Sequence, residues 1–223
     1  MNIYPYTKMN PNKSSLIKKM NELILAYADD IVPVNRNIIV NFFKERNIPC
    51  RKDYIDFLAR FGGNYSYFLK KYNFDCTFQE ISEIYIEEPA EEMPSNDYAL
   101  ISNHTFADFY FIEYSTGHIY RPSIDIEGNY IFKYYAYKDI DSFLWCQLYY
   151  TYYKEFTTQV IHHLTDAELN KFFIDYHDYL LVGFPDSTAG SYFKDNKIYA
   201  HTSNTNIIEE HILSDDFVRK LYK

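Results

Sequence analysis

Glycine is scarce in this 223-residue chain, with six copies, and tryptophan occurs once. So few glycines leave little material for phosphate-cradling loops, and neither GxxxxGK[ST] nor GxGxxG is present. No GxSxG turn is available to hold a serine nucleophile. The three cysteines, Cys50, Cys76 and Cys146, are odd in number, widely spaced and form no CxxC pair. Neither a disulfide framework nor a zinc clasp follows from them, and free thiols in a reducing cytoplasm are expected. Long hydrophobic runs are missing too. The best uncharged stretch, Ser142–Tyr153, is too short and too rich in tyrosine to span a bilayer. The N-terminal residues lack an apolar core and a small-residue cleavage site, so no signal peptide is expected.

Basic residues are nearly absent from the middle of the chain. Between Asp75 and Tyr130 stand twelve acids and a single base, Arg121. Residues 1–74 carry net +6 and residues 131–223 net −4, so the formal −9 of the whole arises in the centre. A concentrated negative field steers a basic partner and repels nucleic acid. The plain alternative is a solvated surface that serves solubility. What the chain has in abundance is tyrosine (25) and phenylalanine (18). Codon bias and the lining of strands account for most of them, although tyrosine is also a frequent contact residue.

The hydrophobic pattern predicts an α+β fold. A first helix is expected after Ser14 or Ser15, with Leu16, Met20, Leu23 and Tyr27 at helical spacing and Ile17 and Ile24 widening the stripe. A second, opened by Asn35 or Asn37, carries Ile38, Ile39, Phe42 and Phe43. A third begins at Pro49, buries Tyr54, Phe57, Leu58 and Phe61, and stops at Gly62-Gly63 through positive φ. Thr77 and Glu80 have the spacing of a capping box for a short helix, 78–86. Pro89 and Pro94 bracket an acidic loop. Strands follow at 98–102, 106–114, 118–120 and 130–137, with turns at Ser115-Thr116-Gly117 and Glu127-Gly128-Asn129. A helix is expected over 140–156, with Phe143, Leu144, Leu148 and Tyr152 on one side. Beyond a seam near 154–164, a Thr165–Glu168 capping box opens another helix, a strand covers 181–184, and a hairpin turns at Asp195-Asn196. Residues 206–221 read as helix.

Three segments of this chain resemble the SUKH superfamily. Ile48-Pro49-Cys50-Arg51-Lys52-Asp53-Tyr54-Ile55-Asp56-Phe57-Leu58 leading to Phe61-Gly62-Gly63 is similar to its hallmark helix and glycine pair. Phe111–Tyr120, with Thr116-Gly117 at the turn, is similar to its strand–TG–strand hairpin, and Ala136–Leu144 to its closing helix. The likeness covers about residues 35–150. It departs at Ile48, where the family often has Leu, and at Phe61-Gly62, which replaces an Asn-Gly turn. Residues 157–223 fall outside it.

The resemblance implies a central, mainly antiparallel sheet with helices packed around it. This gives a SUKH-like domain at 1–156 and an α+β extension at 157–223, or one domain containing both. It implies a non-enzymatic, cytoplasmic immunity protein that binds and neutralises a cognate toxin, with no cofactor, metal, nucleic-acid or membrane partner. Toxin nucleases are commonly basic because they bind phosphate backbones, which suits an acidic binder. The expected contacts are Glu87, Glu88, Glu91 and Glu92, helped by exposed aromatics at Tyr85 and Tyr98. A general interaction scaffold, related to the family's yeast cell-wall regulators, is the alternative. A metal-dependent enzyme using His162, His163 and His177 is a remote one, since their spacing matches no common ligand pattern.

Overall fold

The computed structural model describes residues 11–87, 93–95, 97–104, 108–184 and 187–223. Its helices are α1 (Pro11–Ile24), α2 (Arg36–Glu45), α3 (Lys52–Phe61), α4 (Tyr67–Lys70), α5 (Phe78–Glu87), α6 (Ile140–Phe156), α7 (Asp166–Tyr176) and α8 (Asp215–Leu221). The strands are β1 (Phe74–Asp75), β2 (Tyr98–His104), β3 (Asp108–Glu113), β4 (Ile119–Tyr120), β5 (Ser123–Ile124) and β6 (Tyr130–Ile131), followed by β7 (Tyr135–Tyr137). After α6 come β8 (Thr157–His163), β9 (Leu180–Gly183), β10 (Gly190–Lys194), β11 (Lys197–His201) and β12 (Ile207–Leu213). All strand pairs are antiparallel, and the fold is α+β.

The chain divides into two compact units, but not at the expected place. One is Ala28–Gln147; the other joins the described residues up to Tyr27 with Leu148–Lys223. The boundary falls inside α6, and α1 belongs with the C-terminal part rather than with a domain at 1–156. The expected seam at 154–164 is instead the end of α6 followed by strand β8.

In Ala28–Gln147 a five-stranded sheet runs in the order β1-β2-β3-β4-β7, with β5 and β6 forming a separate hairpin. The single strand expected over 130–137 is thus two short ones, in different sheets. Asn35 caps α2 by accepting from the Asn37 amide at 2.9 Å. Ile39 and Phe43 are buried, while Ile38 is left 56% exposed. Tyr54, Phe57, Leu58 and Phe61 of α3 are all buried, as their spacing predicts. The helix starts at Lys52, three residues after Pro49, because Arg51 stays extended at its N-cap.

The glycine pair after α3 does not work through positive φ: Gly62 lies at φ −81°. Its role is close approach. A Cβ on Gly62 would lie 2.6 Å from the Leu58 carbonyl oxygen, and one on Gly63 would lie 2.8 Å from the Val32 carbonyl carbon. This proximity lets the Gly63 amide donate to Val32 at 2.9 Å and the Phe78 amide donate to Gly62 at 2.8 Å. The pair therefore stitches three segments of backbone together.

The Asp139 side chain accepts from the Ser142 amide at 2.7 Å and so caps α6. This helix is not one-sided: every residue from Ser142 to Tyr149 is buried.

In the other unit the sheet order is β8-β12-β11-β10-β9. The helix expected over 206–221 is overturned: Ile207–Leu213 is a strand with neighbours on both sides, and only Asp215–Leu221 is helical. Two interior strand pairings outweigh the helical spacing of its isoleucines. The capping box at Thr165 and Glu168 is present, and Asp195 and Asn196 both take positive φ in the hairpin turn. On α1 Ile17, Met20 and Ile24 of the expected stripe are buried together with Asn21, while Leu16 and Leu23 are half-buried.

His211 on β12 is fully buried beneath Tyr149 and Tyr153, its ring centroid 5.5 Å and 4.6 Å from theirs. The Tyr149 hydroxyl bonds to Nδ1, and Nε2 faces the Glu209 carboxylate at 3.2 Å. Neutral imidazole with its proton on Nε2 satisfies both contacts, the hydroxyl donating to Nδ1. Burial holds His211 below its ordinary 6.5, against the opposing pull of Glu209.

Two outcomes follow. Gly63→Ala should destabilise the protein by about 1–3 kcal/mol, the range for overpacking a tight site, lowering the thermal midpoint. For His211, whose folded-state value is depressed, stability is full above about pH 6.5 and erodes as pH falls, because the unfolded state takes up the proton first. His211→Gln should flatten the dependence of the urea midpoint on pH in that window. An unchanged slope would show that His211 is not the group responsible.

Candidate functional site

The acidic sector begins with α5. Thr77 accepts from the Glu80 amide through Oγ1 at 3.2 Å, and its own amide donates to Asp75 at 2.9 Å. The Glu80 carboxylate does not close the expected box. It accepts from Asn103 Nδ2 at 2.7 Å and ties α5 to β2. Other acids also have local duties. Glu113 accepts from the Thr116 hydroxyl, and Asp125 Oδ1 accepts from the amides of Glu127 and Asn129 at 2.9 and 2.8 Å. Much of the charge counted in the sequence is thus turn and cap chemistry. Glu83, Glu87, Asp97 and Glu127 are exposed.

Of the six expected contact residues, Glu88, Glu91 and Glu92 lie outside the described residues, and Glu87 is exposed at the end of α5. Tyr85 is not an exposed aromatic. Its ring packs 6.0 Å from Phe43 and 6.4 Å from Phe42, and its hydroxyl accepts the Leu100 amide at 2.8 Å. Burial raises its phenol well above the ordinary value. The reason lies in β2. Strand β1 pairs only with Asn103 and His104, and the β2–β3 register shifts between Leu100 and Ser102. Leu100 is therefore served by tyrosines, Tyr85 accepting from its amide and Tyr54 donating to its carbonyl.

Tyr98 does reach the surface. It is half-buried and stacks on Phe132, with centroids 3.8 Å apart and planes 9° from parallel, while Tyr120 meets it edge-on at 5.8 Å. Tyr130 and Phe132 pack on Phe111 at 5.2 and 5.9 Å. This aromatic layer roots the β5–β6 hairpin. Beyond it stand apolar residues the sequence reading missed: Ile124 is 62% exposed, Ile131 44%, and Ile126 at the turn is fully exposed. Alternation in Ser-Ile-Asp-Ile-Glu-Gly suggests one inward face, but the hairpin pairs with no other strand among the described residues. The Asp125 side chain and Gly128, at φ +89°, fix its turn. A pre-shaped apolar tip flanked by acids is suited to binding.

The segments 48–63, 111–120 and 136–144 meet in space. The Arg51 guanidinium donates to the Tyr114 carbonyl at 2.8 Å and pairs with Asp53 at 2.9 Å. It fills the space where a side chain at Gly117, φ +80°, would point. Phe57 of α3 packs edge-on against Phe143 of α6 at 6.0 Å.

The histidines are not brought together. His162 bonds Glu210 at 2.8 Å on β8, while His177 faces Asp178 at 3.3 Å in the turn after α7. Among the described residues no group of three or more His, Cys, Asp or Glu could hold a metal ion. Burial pushes the Cys50 and Cys146 thiols up to about 12 and raises Cys76 as well, the opposite of an activated nucleophile. Among the described residues no helix is long and apolar enough to cross a membrane. Compared with known protein families, curated proteins and solved structures, the chain matches none.

Arg51→Ala should cost about 1.5–3 kcal/mol, the range for hydrogen bonds made by a charged group. It should also raise amide exchange at Glu113 and Gly117. Unchanged exchange there would mean that the guanidinium does not hold the hairpin.

Proposed function

We propose that this chain is an immunity protein that binds a cognate, basic toxin domain and neutralises it by occlusion. The observation that carries the reading is the β5–β6 hairpin. Its isoleucines are exposed on an aromatic layer that includes Tyr98, within the most acidic part of the sequence. Apolar anchors of this kind supply most of the binding energy at interfaces, and surrounding charge sets encounter rate and partner choice. A basic nuclease domain meets both requirements, because the groups that hold its substrate's phosphates would face the acids. The meeting of the three SUKH-like segments supports the same reading.

The decisive experiment pairs the chain with the protein encoded beside it, if that protein ends in a variable toxin domain. Co-expression should restore growth, and the two should co-purify. Reversing the charge of Glu87, Glu88, Glu91 and Glu92 together should slow association about tenfold or more at low salt, and the wild-type on-rate should fall as salt rises. Ile126→Asp should weaken binding with no change in thermal midpoint. Co-purification without growth rescue would favour a general interaction scaffold; equal on-rates for wild type and the charge-reversed variant would remove the electrostatic part.

A further inference from the structure

Among the described residues, strand edges elsewhere are short. In the first sheet they are β1 and β7, with two and three residues, and β9 at one edge of the second sheet has four. The exception is β8, seven residues long and paired on one side only among the described residues. Its sequence, Thr-Thr-Gln-Val-Ile-His-His, holds no Lys, Arg, Asp, Glu, Pro or Gly, so none of the usual devices that blunt an edge is present. Neither side of the strand is covered: Val160 is 43% exposed and Ile161, on the opposite face, 53%.

The hydrogen-bond phase of this edge is fixed by its ends. The Leu164 amide donates to Asn206 at 2.8 Å, and the Ser214 amide donates to Phe156 at 2.9 Å. Alternation then gives residues 158, 160 and 162 to β12. Thr157, Gln159, Ile161 and His163 therefore turn their amides and carbonyls outward.

We infer that β8 is a homodimer edge, pairing antiparallel with β8 of a second copy about a two-fold axis at Val160. In that register Thr157 lies opposite His163 of the copy, and Gln159 lies opposite Ile161. All four outward-facing residues then form hydrogen-bonded pairs. Val160 meets its own counterpart in the close, non-bonded position, with Cα atoms about 4.5 Å apart. A second copy is the occupant that the chemistry favours. Self-pairing about an axis places identical residues opposite or near one another, and a charged edge would repel itself there. This edge is neutral, and each histidine meets a threonine rather than another histidine. A basic partner would find no charge on it to select. The two five-stranded sheets become one of ten strands.

Analytical ultracentrifugation of the full chain tests this. Wild type should sediment at twice its 26.8 kDa mass. Val160→Lys puts like charges face to face and should give monomer. Ile161→Pro should do the same, since it removes an outward amide that β12 does not use. Both variants should keep the wild-type circular dichroism. Val160→Cys should form an intermolecular disulfide on mild oxidation, and wild type, with its own three thiols, should not. A monomeric wild type overturns the proposal, as does a dimer that survives in both variants. Monomeric wild type with a dimeric 11–223 fragment also overturns it, by assigning the edge to the chain's own first residues.

Discussion

Leu100 holds the unit Ala28–Gln147 together through its backbone rather than its side chain. Strand β1 is too short to pair with it, and an uncompensated buried amide and carbonyl would each cost about 1–3 kcal/mol. Two phenols take the place of the missing strand, Tyr54 from α3 and Tyr85 from α5. Tyr54 is buried and Tyr85 half-buried on their own helices, so satisfying one residue of β2 fixes two helices against the sheet. The rest of α3 follows from that anchorage. Phe57 meets Phe143, Arg51 reaches the β3–β4 turn, and Gly62-Gly63 brings the chain against Val32 and Phe78.

The same economy governs the acids. A carboxylate that accepts backbone amides stabilises a turn whatever its neighbours do, and Asp75, Asp125 and Asp139 serve in this way. Glu80 joins helix to strand. Among the described residues the exposed acids of this sector are fewer than the composition suggests: Glu83 and Glu87 on α5, Asp97, and Glu127 in the β5–β6 turn. On the proposed reading, such a division lets the field set encounter while a few apolar side chains set lifetime. The apolar part here is a hairpin whose turn is pinned by its own aspartate.

The two sheets differ in how they end. The first closes with fragments of strand, which leave little backbone to template another chain. The second ends on a full-length neutral strand that follows α6 with no intervening linker. Thr157 donates to the Tyr153 carbonyl at 2.7 Å, joining the helix end to the strand start. Strand β8 therefore begins at a fixed point with a fixed hydrogen-bond phase.

Local chemistry was legible in the sequence. The α+β class, the buried face of α3, the Thr165 capping box, the Asp195-Asn196 turn and the extent of α6 all follow from side-chain spacing and backbone preference, which act over a few residues. The site was legible only in part: Glu87 and Tyr98 are at the surface, Tyr85 is not, and the isoleucines of 124–131 gave no signal apart from an ordinary strand alternation. Tertiary structure alone decided that 207–213 is a strand, that α1 belongs with the C-terminal unit, and that the glycine pair is needed for close contact rather than for positive φ. Each of these depends on what lies on the far side of the residue, across the sheet or beneath the helix. A sequence specifies which groups need partners; the fold determines which partners they meet, because those contacts join residues tens of positions apart.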